Sequence, residues 1–139
     1  MEYRIQEGRF DLSDSFHDQT VNVFTVTPSG PSPFNIVMTR TAAKPDVSLK
    51  DHVSRELDTM QQALAGFAYL WRREHEVDGR PAEIVAARVG SGANAMEQRQ
   101  VFLLLGRRAL TITASAQESL SQEQLHVLND LISSLRLAA

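Results

Sequence analysis

The hydrophobic positions of this chain follow two rhythms, every second residue and every third or fourth, and the changes between them mark its elements. Tyr3–Glu7 and the segment around Phe10–Leu12 predict short strands separated by Gly8. Asp18–Thr27 is rich in β-branched residues, and its alternation puts Val21 and Val23 on one face with Phe24 and Val26 on the other. Pro28–Pro33 breaks the pattern and reads as an exposed loop. Phe34–Arg40 resumes a strand, with Phe34, Ile36 and Met38 facing one way and Val37 the other. The loop is short enough to make these strands an antiparallel pair.

After a connector over Thr41–Val47, Ser48 reads as a helix N-cap with Asp51 three residues on. The helix runs to Ala65, where Gly66 suits a left-handed terminus. Leu49, Val53, Leu57, Met60 and Leu64 make one apolar stripe, the first three packing on the sheet and the last two reaching a rim. Tyr69–Val77 and Pro81–Val89 predict a hairpin turning at Asp78-Gly79, with Trp71 and Val77 on one face and Arg72, Glu74 and Glu76 on the other. Gly90–Asn94 turns the chain into a long strand beginning near Met96. Arg99–Ser115 then reads as two strands joined at Gly106-Arg107-Arg108. Ser121 and Gln124 form a capping box, and the closing helix carries Leu125, Leu128, Ile132 and Leu135.

The order is β-β-β-β-α-β-β-β-β-α, one α+β domain over residues 1–139 with an antiparallel β-sheet and flanking helices. The missing βαβ alternation excludes a doubly wound nucleotide-binding fold. Val101–Leu105 is apolar at every position, so both sheet faces want cover there. The chain's own helices cover one face, and a partner is the natural candidate for the other.

Hydrophobic content of 42% and charged content of 22% are ordinary for a soluble globular protein. A net charge of −3 argues against a general nucleic-acid binder. Arg72-Arg73 and Arg107-Arg108 look like solvated strand positions. The lack of cysteine removes disulfides and thiolate chemistry and suits a reducing cytoplasm. The first residues show no signal-peptide core, and no window approaches the ~18 apolar residues of a spanning helix. A cytoplasmic location is the expectation.

Candidate chemistry is sparse. His17, His52, His75 and His126 fall in four different elements, without metal-ligand spacing. Glu74-His75-Glu76 reads as surface charge, because on a strand its carboxylates face away from the imidazole. Ser13-Asp14-Ser15-Phe16-His17 holds the residue types of a hydrolase triad but no nucleophile elbow, and Gly90-Ser91-Gly92 lacks the third glycine of a phosphate cradle. No enzymatic activity, cofactor or metal is expected. Binding is.

Phe16-His-Asp-Gln-Thr-Val-Asn-Val-Phe24, Gly30-Pro31 followed by Ile36-Val-Met-Thr-Arg40, Leu64-Ala-Gly-Phe67 and Arg99-Gln-Val-Phe102 resemble, in order and spacing, the Eag-type chaperones. These are adaptor proteins of the bacterial type VI secretion system. The resemblance covers almost the whole chain and implies a fold like that of the PsbP and Mog1 proteins. It further implies a cytoplasmic homodimer that holds the hydrophobic transmembrane helices of a toxic effector before export. Such effectors carry a PAAR domain that sits on the VgrG spike. A helix of ~20 apolar residues is unstable in water, so a concave apolar groove has to shield it.

Carried over by position, the groove residues are Val21 and Val23, Val37 on the neighbouring strand, Met60 and Leu64 on the helix, and Met96 before the long strand. Flexible thioethers suit varied guests. Gln100 matches an amide expected to hydrogen-bond the guest helix. The companion amide position holds Glu56 here, a carboxylate that is costly against an apolar groove unless paired or protonated. The resemblance implies no nucleic acid and no direct membrane insertion. The alternative is a module for a small apolar ligand or lipid on the same fold, which a closed pocket would mark.

Overall fold

The computed structural model describes residues 1–138. Ser48 accepts a hydrogen bond from the Asp51 N–H and starts α1 (Leu49–Ala63), while Ser121 and Gln124 exchange both bonds of a capping box at the start of α2 (Gln122–Ser134). Strands β1 (Glu2–Ile5) and β2 (Gly8–Asp11) form a separate hairpin. The remaining strands are β3 (Asn22–Thr25), β4 (Phe34–Ala42), β5 (Ala68–Val77), β6 (Arg80–Val89), β7 (Met96–Leu105) and β8 (Arg108–Gln117). They form one antiparallel sheet in the order β3-β4-β8-β7-β6-β5.

Element order and class are those expected from the sequence. Several ends differ: α1 stops at Ala63 with Leu64 as its C-cap, short of the expected Ala65, and β1 and β2 lie earlier than expected, with Gly8 inside β2. β3 is only four residues long, since the free edge and the Asp18–Thr20 turn stop the ladder early. Arg108 pairs with Leu105, so the β7–β8 turn is Gly106-Arg107 alone. The β5–β6 turn needs positive φ at both central residues, and Asp78 and Gly79 supply 49° and 78°.

Alternation sends each strand's residues to two faces, and each helix covers a different half of the sheet. On one side Leu128 and Ile132 of α2 close a core with Ile36, Val101, Leu103 and Ile112. On the other, Val53 and Leu57 of α1 pack on Phe67, Val85, Ala87 and Phe102. Val101–Leu103 is therefore fully buried on both faces by the chain's own helices. This corrects the expectation that a partner covers one side of that run. Because α1 sits over β6 and β7, the surface left open lies instead over β8, β4 and β3.

Arg72 is not a solvated strand position either. Its Nε and Nη2 donate to the two carboxylate oxygens of buried Glu83 at 2.9 and 3.1 Å. Nη1 donates to Ser54 Oγ at 2.9 Å, and Nη2 also reaches the Lys50 carbonyl at 3.1 Å. The pairing with Glu83 raises the pKa of Arg72 above its ordinary value, against the opposing effect of burial. One guanidinium thus ties β5 and β6 to the first turns of α1. At the other end of α1 the backbones of Gly66 and Gly90 nearly touch. The Gly90 N–H donates to the Ala65 carbonyl at 3.0 Å, and a Cβ on Gly66 would lie 2.7 Å from the Gly90 oxygen.

Candidate functional site: a half-open trough beside helix α1

The ladder places Val23 opposite Val37, Val37 opposite Thr113, and Thr113 opposite Gln100. These four residues form a row across β3, β4, β8 and β7 on the face that carries α1. Val21 precedes β3 on the same face and is 52% exposed; Val23 is 59% exposed. Val37 is half-buried. The opposite wall is α1, where Met60 is half-buried and Leu64, the C-cap residue, is 42% exposed. Two apolar walls thus flank a strip of sheet in which Val37, Thr111 and Thr113 are half-buried and Gln100 and Ser115 are buried.

Gln100 is 3% exposed and lies at the foot of the helical wall. Its Nε2 donates to Met60 Sδ and to Gln98 Oε1, each at 3.3 Å, and Gln98 Nε2 donates to Ser115 Oγ at 3.1 Å. Gln100 Oε1 is buried with no hydrogen-bond partner, an arrangement that costs roughly 1–3 kcal/mol until a donor reaches it. Met96 opens β7 on the same face as Gln98 and Gln100 and is half-buried. Glu56 stands one turn before Met60, half-buried beside Thr41, Ala42 and Lys44 in a cleft of about 450 Å³ at the end of α1 away from Leu64. All eight positions carried over from the sequence therefore fall on one side of the sheet. Val21, Val23, Val37, Met60, Leu64 and Gln100 bound the trough; Met96 and Glu56 stand towards its two ends.

The floor differs from a purely greasy groove. Thr111, Thr113 and Ser115 of β8 alternate with Ile112, Ala114 and Ala116, which enter the core on the other face. Thr39 pairs with Thr111 across the β4–β8 ladder. Hydroxyls and amides thus run along the middle, between valine on one side and methionine and leucine on the other. That every-second-residue series of hydroxyls is visible in the sequence. Its meaning appears only once the uncovered half of the sheet is known.

His52 is buried edge-on against Phe102, with ring centroids 6.4 Å apart and Nε2 unpartnered. It lies under α1 at the Glu56 end. No helix of the described residues is long and apolar enough to cross a membrane.

This sheet with two helices on opposite faces is an example of a known family. Residues 7–134 match the DcrB family, and the chain belongs to it. Over 102 residues it is 28% identical to Effector EagT6 of Pseudomonas aeruginosa, a match that spans 73% of this chain and 71% of that protein. The Eag-type resemblance read from the sequence is thus present in a named relative. Two solved structures share the fold. A P. aeruginosa protein of unknown function, PA94, described as a putative regulator, superposes with a TM-score of 0.83 at 23% identity over 100% of this chain and 97% of its own. PsbP of the cyanobacterium Synechocystis superposes with a TM-score of 0.51 at 12% identity, over 95% and 86% of the two chains.

Proposed function

We propose that this protein is a chaperone and adaptor of type VI secretion that holds the hydrophobic transmembrane helices of a PAAR-domain effector in the trough beside α1. Through the effector it meets the VgrG spike. The observation that carries the reading is the pair of apolar walls on the α1 face, exposed Val21 and Val23 on one side and half-buried Met60 with exposed Leu64 on the other. Similarity to Effector EagT6 supports the same class of role.

A membrane helix presents apolar side chains with occasional small polar ones. The valine and methionine walls take the first kind, and the hydroxyl-and-amide floor meets the second. Gln100 Oε1 is the acceptor a guest hydroxyl would satisfy, with flexible Met60 yielding to admit it. A homodimer completes the reading. Ile5, Phe10 and Phe16 are exposed on and beside the β1–β2 hairpin, and such a hairpin has little stability alone. The complex belongs in the cytoplasm, before export.

The test is co-expression with the N-terminal membrane segments of a PAAR-domain effector. Wild-type protein should hold that fragment in a soluble complex. Val23→Asp and Met60→Gln should keep wild-type thermal stability and lose at least tenfold of the co-purified fragment. Unchanged recovery with either variant would overturn the proposal.

A further inference from the structure

A second cleft lies on the opposite face, where α2 leaves β5 and β6 partly open. Trp71, on β5, carries two guanidinium groups over its ring. Arg73, two residues along the same strand, places its Cζ 4.1 Å from the ring centroid, and Arg99 of β7 places its Cζ at 5.1 Å. Arg99 reaches across because the β6 residue between them is the small, fully buried Ala86. Ile84, Leu125 and Leu128 complete an apolar floor, and the cleft encloses about 530 Å³, within the range of about 300–1,000 Å³ typical of ligand sites.

Of the two charges Arg99 is neutralised locally: its Nη1 faces Glu97 at 3.7 Å and donates to the Gln98 carbonyl at 3.3 Å, and Glu74 also lines the cleft. The salt bridges of the described residues leave Arg73 out. A chain of net charge −3 thus concentrates two arginines on one indole. Packing against the ring holds the Arg73 guanidinium plane while its edge N–H groups stay free for an oxyanion, which is bound best in the bidentate form.

We infer that the cleft between β5 and α2 binds a carboxylate carried on an apolar stem, with Arg73 on the oxyanion and Ile84, Leu125 and Leu128 on the stem. The site shares no residue with the trough and stands independently of it. Two sources offer that chemistry, a fatty acid and a peptide with an acidic residue among apolar ones.

Trp71 is the chain's sole tryptophan, so its emission reports on this cleft directly. The experiment titrates the intact protein with decanoate below its critical micelle concentration and with N-acetyl-Leu-Asp-Leu-amide. Decanol and N-acetyl-Leu-Asn-Leu-amide serve as uncharged counterparts. At least one carboxylate should change Trp71 emission saturably, and the one that does so assigns the source. The uncharged counterparts should not. Arg73→Gln should weaken binding at least tenfold, Arg73→Lys should weaken it less, and Val23→Asp in the trough should leave it unchanged. No saturable response to either carboxylate, an equal response to the uncharged probes, or undiminished binding by Arg73→Gln would overturn the inference.

Discussion

Replacing Arg72 by Met isolates the clamp that seats α1. The methionine keeps much of the aliphatic stem but removes all four hydrogen bonds, two to Glu83, one to Ser54 and one to the Lys50 carbonyl. The Glu83 side chain is 8% exposed and that of Arg72 21%, so the variant strands a buried carboxylate beside a helix that has lost its anchor. Breaking one side of a buried pair costs roughly 3–5 kcal/mol, and the partial exposure of Arg72 places this case near ~3 kcal/mol. A chain of this size should then lose about 6–12 °C in Tm. The double variant Arg72→Met, Glu83→Leu removes the stranded charge as well and should recover to within about 1–2 kcal/mol of wild type.

Urea denaturation followed by Trp71 emission and by far-UV circular dichroism measures all three proteins. The pH dependence adds a second check. A base whose folded pKa is raised contributes stability below its unfolded value and loses it only as pH rises through the folded one. The Arg72 contribution, raised by Glu83, should therefore stay flat from about pH 6 to 9. A loss below ~0.5 kcal/mol for the single variant, or a double variant no more stable than the single, would refute the clamp.

Two further outcomes test the local geometry. Gly66→Ala should cost about 1–3 kcal/mol, because φ is +70° and the new methyl would meet the Gly90 carbonyl at 2.7 Å; a neutral result in thermal melts would show that the α1 end and the β6–β7 turn can separate freely. Asp18 accepts hydrogen bonds from the Thr20 hydroxyl and N–H, which hold its carboxyl below the ordinary range. A carboxylate so lowered favours the folded turn above its unfolded pKa and gives that up as pH falls through its folded value. The Thr20 amide shift should titrate with a midpoint under the usual ~3.9, and a midpoint at or above it would contradict the turn.

The fold was largely legible because it rests on local rules. Serine caps, the Asp78-Gly79 turn and the alternation in β4 and β8 each act within a few residues. Arg72 was not legible. A charged residue on an edge strand looks solvated until a helix from elsewhere in the sequence brings Ser54 and Lys50 against it. Val101–Leu105 misled for a related reason. The run shows that two faces are covered, and says nothing about whether one chain or two supplies the cover.

The sequence by itself determined the elements, their order, which residues share a face of each strand, and the want of cover around Val101–Leu105. Tertiary structure alone decided how far each helix extends over the sheet. α1 is anchored to β5 and β6 by Arg72, so it stops short of β8, β4 and β3 and leaves Val21 and Val23 exposed and Thr111 and Thr113 half-buried. α2 packs across β4, β8 and β7 and leaves Trp71 with its two arginines beside β5. Periodicity specifies which side of a strand is apolar. Only the lateral placement of a helix, set by a few long-range contacts, specifies which apolar side remains for a partner.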